Sequence, residues 1–366
     1  MATIQAFDFA VKKDALHKTK LIEKSYSNSL APNQVLLEVD TFSLTSNNIT
    51  YAVMGEQMHY WRFFPTEQSY GIIPAWGFAD VVVSSHPDIK VGQRFYGYYP
   101  MGSHLLVAPN KVGPHGFMDS MGHRRELPVV YNFYANTAQD PTMSPQTEAF
   151  VALFRPLFVT SFLIDHHLAV QNFYNADQIL ITSASSKTAQ ALAFSLANRK
   201  KEQGSNFSLV GLTSNKNLEF VRQLGWYDET LPYNGLNQLK PKEKFVVVDF
   251  TGNHNTQYAL QTTLGENLVY NCLVGLADWQ HLKGEQPLPT KGELFFAPSH
   301  AEKWQKVWGI SGFQQQVGWA WQRFIVPIQS AISITEHEGV QELEKLYLTM
   351  LKGNIDPTQG NMVHLR

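Results

Sequence analysis

A chain of 366 residues, 44% hydrophobic and 16% charged, is long enough for two domains with substantial cores and has the balance of a folded protein. Its formal charge of −2 supplies no polycation for nucleic acid, and its single cysteine, Cys272, excludes an intramolecular disulfide and argues against a cysteine-based zinc site. The opening "MATIQAFDFAVKKD" lacks the unbroken apolar core of a secretion signal, and no apolar run reaches the roughly 20 residues of a membrane helix, so the expectation is a cytoplasmic protein with no membrane or nucleic-acid partner.

Up to about residue 110 the chain reads as short strands. They are "QVLLEVDTFSL" (34–44), "WGFADVVVSS" (76–85) and "SHLLVAP" (103–109), with breaks at Pro32, Pro74, Gly92 and Pro100. Such spacing predicts a compact, partly barrel-shaped β domain. Residues 111–149 are irregular and rich in aromatics and turn formers, the signature of a functional connection or a docking surface. The helical "EAFVALFRPLFVTSFLIDHHLAV" follows, with Pro156 expected to kink or restart it. From 178 to about 300, the apolar runs "QILITS", "FSLVGL", "KFVVVDF", "NLVYNCLVGL" and "GELFFAP" alternate with helices, which predicts an α/β domain with a parallel doubly wound sheet. The tail carries helices around "HAEKWQKVWG" and "GVQELEKLYLTMLKG" and contains no repeat.

The stretch "QILITSASSKTAQALAFSLANRK" (178–200) has the strand, turn and helix of a nucleotide-binding site, with no glycine in the turn. Ala189, Leu192, Ala193, Leu196 and Ala197 recur on one helical face, and their small size permits close packing on a sheet. Ser185 or Ser186 is a good N-cap, so the helix begins near Lys187. A cation in the first turn opposes the helix macrodipole by roughly 0.3–1 kcal/mol, and an anion bound there reverses the sign. Lys187 therefore either meets a phosphate or points into solvent. A P-loop requires glycines where Ile181 and Ser186 stand, so that motif fails. The dinucleotide fingerprint G-x-G-x-x-G is also unmatched, although its context holds, and serine or alanine can replace glycine where φ stays negative. After the second strand, "LVGLTSNKN" offers no acid to hold a ribose 2′-hydroxyl before Glu219. Its hydroxyls and Lys216 suit a 2′-phosphate, which favours NADP(H), although Thr213 and Ser214 can equally cap the next helix.

Several segments together resemble the medium-chain dehydrogenase/reductase superfamily, in particular its zinc-free quinone-reductase-like members. They are "APNQVLLEVDTFSLTSNNITYAVMG", "IPAWGFADVVVSSHPDIKVGQRFYGYYPMGSHLLVAP", "ILITSASSKTAQALAFSLA", "LTSNKNLEFVRQLGWYDETLPYN", "VVVDFTGN" and "VYNCLVGLA". "SASSKT", "YNFY", "RPLFVTSFL" and the long 111–149 segment are similar to a divergent bacterial and fungal branch known mainly as a domain of unknown function. The resemblance implies a GroES-like domain over 1–146, completed by 301–366, and a Rossmann domain over 147–300.

It also implies roles for particular residues. Ser185, Ser186, Lys187 and Thr188 occupy the phosphate turn, and Ser214, Lys216 and Tyr233 match positions that hold the 2′-phosphate of NADPH. Thr251, Gly252 and Gly275 end the strands that face the nicotinamide. In "SNNITY", Tyr51 and Asn48, with Asn47, match residues that contact a substrate oxygen, or Tyr51 merely shapes the pocket. The family's Gly-His-Glu reads "AWG" here, which argues against zinc-dependent chemistry. The implied function is NADPH-dependent reduction of a quinone, enone or other activated carbonyl compound. A non-catalytic NADP(H)-binding sensor on the same fold is the alternative. The edge strand in "LFFAP" (294–298) is the implied interface of a homodimer. Tyr131, Asn132 and Tyr134 either line a pocket or rigidify the connection. His123, Arg124 and Arg125 either bind an anion or form a solvated face, and the adjacent His166 and His167 diverge on a helix and form no metal pair. No G-x-S-x-G elbow suggests a hydrolase.

Overall fold

The computed structural model describes residues 2–239, 242–275, 278–284, 286–290 and 292–365. Their contacts divide the chain into one unit of 1–153, 334–355 and 359–366, and a second of 154–333 and 356–358.

In the first unit the elements run β1 (Thr3–Lys12), β2 (Ala15–Ser27), β3 (Val35–Leu44), α1 (Ser46–Val53), β4 (Tyr70–Ile72), β5 (Pro74–Ser84) and β6 (Arg94–Pro100). Then come β7 (His104–Val107), β8 (Pro109–Gly113), β9 (Gly116–Asp119) and β10 (Phe133–Asn136). Helix α2 (Glu148–Val170) leads into the second unit, which contains β11 (Gln178–Ile181), α3 (Lys187–Gln203), β12 (Ser208–Thr213), α4 (Leu218–Gln223) and β13 (Glu229–Pro232). It continues through β14 (Phe245–Asp249), α5 (His254–Leu264), β15 (Leu268–Leu273), β16 (Glu293–Leu294) and α6 (Ala297–Ala331). Finally β17 (Ser333–Glu338), α7 (Gly339–Leu351) and β18 (Gln359–His364) close the chain.

The first unit is antiparallel. β2-β1-β4 form a three-stranded sheet, and β17-β18-β3-β5-β6-β10-β9-β8 form a larger one to which β7 adds through β3. The pairing of β3 with β5 shifts register at Leu36/Leu37 and again at Val39/Thr41, and such bulges bend a sheet toward closure. The 111–149 connection is less irregular than its sequence, because β8, β9 and β10 extend this sheet.

In the second unit all six strands pair parallel in the order β13-β12-β11-β14-β15-β16. The unbroken apolar runs follow from burial on both faces. Ile179, Ile181, Leu209, Val246 and Val248 join Leu163, Leu192 and Leu196 in one core, while Leu180, Val210, Leu212, Phe245 and Val247 join Leu260 and Leu264 in the other.

Three expectations are corrected here. The tail from 301 to 333 belongs with the parallel sheet, because Trp321 and Phe324 of α6 pack their rings 5.0–5.5 Å from Phe154, Phe158 and Phe194. In addition, α2 is by length and composition apolar enough to cross a membrane, although Leu153, Phe154, Leu163, Ile164 and Leu168 are buried in the protein cores. Nor does Pro156 restart that helix, which runs as one element from Glu148 to Val170. A helical proline leaves the carbonyl four residues earlier without its N–H donor. That carbonyl is Ala152, and the Ser43 hydroxyl of β3 donates to it at 2.9 Å.

Candidate functional site

The glycine-free turn leaves β11 through Thr182 and Ser183. Ser183 has φ 49°, so the turn does demand a left-handed residue, and serine supplies it at a cost of order 1 kcal/mol or more. The turn's amides explain how the strain is held. The Ser183 N–H donates to the Tyr233 hydroxyl at 2.9 Å, that of Ala184 to the Leu212 carbonyl at 2.9 Å, and that of Ser186 to the Ser183 carbonyl at 2.7 Å. The Ser186 hydroxyl caps α3 by accepting from the Ala189 N–H. Buried Gln190, which the apolar periodicity did not mark, donates its side-chain amide to the Ser185 carbonyl at 2.7 Å.

Lys187 opens α3, yet its ammonium does not stand free over the turn. It donates to the Pro357 carbonyl at 3.0 Å and lies 5.9 Å from the Phe154 ring centroid. Burial pushes its pKa down to about 8, with nearby Asp356 opposing the fall. Neither sequence alternative, a phosphate contact or a solvated side chain, describes this packing. The first amides of the helix, those of Lys187 and Thr188, have no intrahelical carbonyl to meet. The Thr188 carbonyl accepts from the Ser161 hydroxyl at 2.8 Å.

At the end of β12, Thr213 and Asn217 donate to the Ser185 hydroxyl at 3.3 and 3.0 Å. Ser214 sits at the cap of the short turn Asn215–Asn217 without using its side chain there, and its hydroxyl is buried with no hydrogen-bond partner. Lys216 is exposed and makes no ion pair among the described residues. Ser185, Ser214, Lys216 and Asn217 thus gather two hydroxyls, an amide and a cation at one strand end. Asn217 is the member that sequence reading missed. Tyr233 joins the turn, but its hydroxyl is committed to Ser183, and burial pushes its pKa up.

At the end of β14, buried Asp249 accepts from the Thr182 and Thr251 hydroxyls and from the Thr251 and Gly252 amides. Thr251 and Gly252 therefore spend these donors on shaping the loop. Gly275 follows β15, where a Cβ would stand 2.7 Å from the Phe250 carbonyl, so only glycine lets the two strand ends approach this closely. Asp249 was absent from the sequence-derived site; the one signal for it is an acid closing the apolar run "FVVVD".

Tyr51 and Asn48 lie on α1 in the first unit. The Asn48 amide accepts from the Thr45 N–H at 2.7 Å in a capping box and donates to the Pro74 carbonyl at 2.9 Å. Tyr51 is buried in an aromatic cluster, with ring centroids 4.5 Å from Tyr60 and 5.7 Å from Tyr98. Burial pushes its phenol well above the ordinary range, and the nearby Tyr60 adds to the rise. The hydroxyl faces Trp76, Tyr98 and Asn47.

Of the remaining sequence candidates, Tyr131 joins that cluster, 4.7 Å from Tyr98. Tyr134 donates to the Tyr98 carbonyl and accepts from Arg124, while Asn132 donates to the Arg124 carbonyl. Arg124 is wholly buried, 3.4 Å from Asp119, so the His123-Arg124-Arg125 cluster is not a solvated charge face at its centre. His166 packs edge-on against Trp304 and Trp308, at 4.2 and 4.8 Å. Among the described residues, no three His, Cys, Asp or Glu side chains converge as a metal site requires.

Residues 42–356 match the family described as "Protein of unknown function (DUF2855)". No curated protein matches the chain. Among solved structures, CurA in complex with NADPH from Vibrio vulnificus superposes with a TM-score of 0.63 at 11% identity, covering 100% of this chain and 99% of that one. The quinone oxidoreductase from Coxiella burnetii gives 0.54 at 12%, covering 99% and 100%. The yhdH oxidoreductase from Salmonella enterica in complex with NADP gives 0.53 at 12%, covering 99% and 100%. At such identities the likeness is one of fold, and the fold is a Rossmann doubly wound sheet joined to a GroES-like β domain.

Proposed function

This chain belongs to the DUF2855 family of proteins of unknown function, and we propose that it is a zinc-independent, NADP(H)-dependent oxidoreductase that reduces a quinone, an enone or another activated carbonyl compound. The observation that carries the cofactor reading is the end of β12. There the buried, unpartnered Ser214 hydroxyl, the exposed Lys216 and the Asn217 amide offer donors to a 2′-phosphate, and no carboxylate of that loop opposes one. Two fold neighbours were crystallised with NADPH or NADP, which supports the same choice.

In this reading the amides of Lys187 and Thr188 at the N-terminus of α3 receive the pyrophosphate, Ser214 and Lys216 receive the 2′-phosphate, and glycine at 275 keeps the end of β15 free of side-chain bulk. Bound NADPH supplies the hydride. Tyr51 stays protonated because burial raises its pKa, so its part is to donate a hydrogen bond to the substrate oxygen across the whole neutral range. The edge strand β16, where Leu294 is exposed, is the proposed interface of a homodimer, to be tested by sedimentation.

One observation favours the alternative of a non-catalytic NADP(H)-binding protein. Lys187, Thr251 and Gly252 spend their donors on Pro357 and Asp249. Calorimetric titration with NADPH and NADH, followed by NADPH oxidation assays on quinones and enones, separates the readings. Tight NADPH binding with turnover supports the reductase, and binding without turnover supports the sensor. Failure to bind either nucleotide overturns both.

A further inference from the structure

The segments that follow β1 and α1 enclose a recess of about 300 Å³ within the first unit. Lys13, Arg62 and His123 bring nitrogen atoms to it, and Trp61, Pro65 and Tyr70 supply its apolar wall. Among the described residues, no carboxylate lines it. With Arg124 buried elsewhere, His123 is the residue of the His123-Arg124-Arg125 run that reaches this recess, its ring hydrogen-bonded to the backbone of Phe63.

The wall is fixed before any ligand arrives. Trp61 is buried against Gly55 and Gly71, and a Cβ at either position would overlap its indole. The Trp61 N–H donates to the Gly55 carbonyl at 3.3 Å, and the Lys13 N–H donates to the Ser69 carbonyl at 3.0 Å. These bonds hold both cation-bearing segments in place.

The two strong cations have carboxylate partners, Glu56 at 3.0 Å from Lys13 and Glu126 at 2.8 Å from Arg62. Those glutamates do not line the recess, and they are 74% and 78% exposed against 28% and 46% for the cations. Ion pairs this exposed contribute little. An anion seated in the recess can therefore take over both cations while Glu56 and Glu126 return to water. Arg62 presents a planar fork that matches a carboxylate with two parallel hydrogen bonds, and Lys13 adds a point charge. The indole, phenol and proline surfaces beside them favour a flat ring as the body of the ligand. At this volume the recess stands at the small end of ligand sites, with room for one or two rings and not for a nucleotide.

We propose that this recess binds a small aromatic carboxylate, whose carboxylate Arg62 and Lys13 hold and whose ring packs on Trp61, Pro65 and Tyr70. The site shares no residue with the strand ends assigned to NADP(H) and does not rest on the reductase reading.

The test uses the full chain and 2-naphthoate as probe, followed by calorimetry. 2-Naphthamide keeps the rings without the charge, and cyclohexanecarboxylate keeps the charge without the aromatic ring. Arg62→Gln and Lys13→Gln remove the cations at half-exposed positions where folding is not at risk, and circular dichroism checks this. Arg125→Gln, an exposed arginine outside the recess, is the control for general surface charge. The expected result is a rise in 2-naphthoate Kd of about tenfold in Arg62→Gln and in Lys13→Gln, with Arg125→Gln unchanged. Both comparison compounds are expected to bind the parent at least about tenfold more weakly. Equal affinity in the parent and the two recess variants overturns the proposal, as does no binding to the parent. Naphthamide bound as tightly as naphthoate overturns the role of the cations, and cyclohexanecarboxylate bound as tightly overturns the choice of an aromatic ligand.

Discussion

Two lysines that look equivalent in the sequence have opposite fates in the fold. Lys187 is held against the Pro357 carbonyl, and burial lowers its pKa to about 8 from an ordinary 10.5. The folded chain therefore binds fewer protons than the unfolded one between these values, so stability rises as pH climbs from about 8 to 10.5 and the full penalty is present below 8. Lys187→Met is expected to raise the melting temperature at pH 7 by a few degrees and to flatten the alkaline rise, as thermal unfolding across that window would show. Lys216 is exposed and without an ion pair among the described residues. Lys216→Ala is expected to leave stability unchanged and to weaken NADPH by about tenfold or more, the worth of a charge-assisted hydrogen bond, with NADH unaffected. Equal losses for both nucleotides in a calorimetric comparison remove Lys216 from the 2′-phosphate site. Ser183 shows why the turn was only half legible. The context of strand and helix was plain, but no property of a serine announces that its backbone takes φ 49°.

At the scale of elements, period and burial were the readable signals, and partners across the sequence were not. The runs "QILI" and "FVVVD" announced buried parallel strands, and the alanines of α3 announced the face that packs on them. Pro156 announced a kink or a restart, and the helix does not restart there, because the repair comes from Ser43, more than a hundred positions earlier in the chain. This pairing yields a double-mutant cycle. Ser43→Ala alone strands the Ala152 carbonyl and is expected to cost about 1–2 kcal/mol. Pro156→Ala restores the backbone N–H that meets that carbonyl, so Ser43→Ala in its background is expected to cost much less. Additive losses in chemical denaturation show that the hydroxyl is not replacing the missing amide. Asn48 likewise has partners that its sequence neighbours do not reveal, since its side chain caps α1 and donates one amide hydrogen to the Pro74 carbonyl.

For the molecule as a whole, the six-stranded parallel sheet was legible because its strands and helices alternate in order, and crossovers between parallel strands are constrained in hand. Residues 334–355 and 359–366 join the first unit as expected, but where 301–333 belongs was not legible. Trp321 and Phe324 carry no mark of which core they join, and only the aromatic partners Phe158 and Phe194 decide it. The first unit depends on a comparable long-range knot, built on Arg94 at the start of β6. All three of its nitrogens are used: Nε and Nη2 on Glu148 at 2.9 and 2.7 Å, Nη2 also on Asp40 at 2.8 Å, and Nη1 on both Asp80 oxygens at 3.1 Å. One planar cation thus ties β3, β5, β6 and the start of α2, and those contacts favour its charged form against burial. Removing it leaves three carboxylates facing one another. Arg94→Met is expected to cost about 3 kcal/mol, the low end for breaking a buried pair, because the side chain is 24% exposed. Arg94→Lys restores the charge but not the fork, and is expected to recover less than half of that loss. Scanning calorimetry would locate the change. Destabilisation confined to the transition of the first unit fits a local knot, whereas full recovery by lysine means that charge alone, and not the planar fork, holds these strands together.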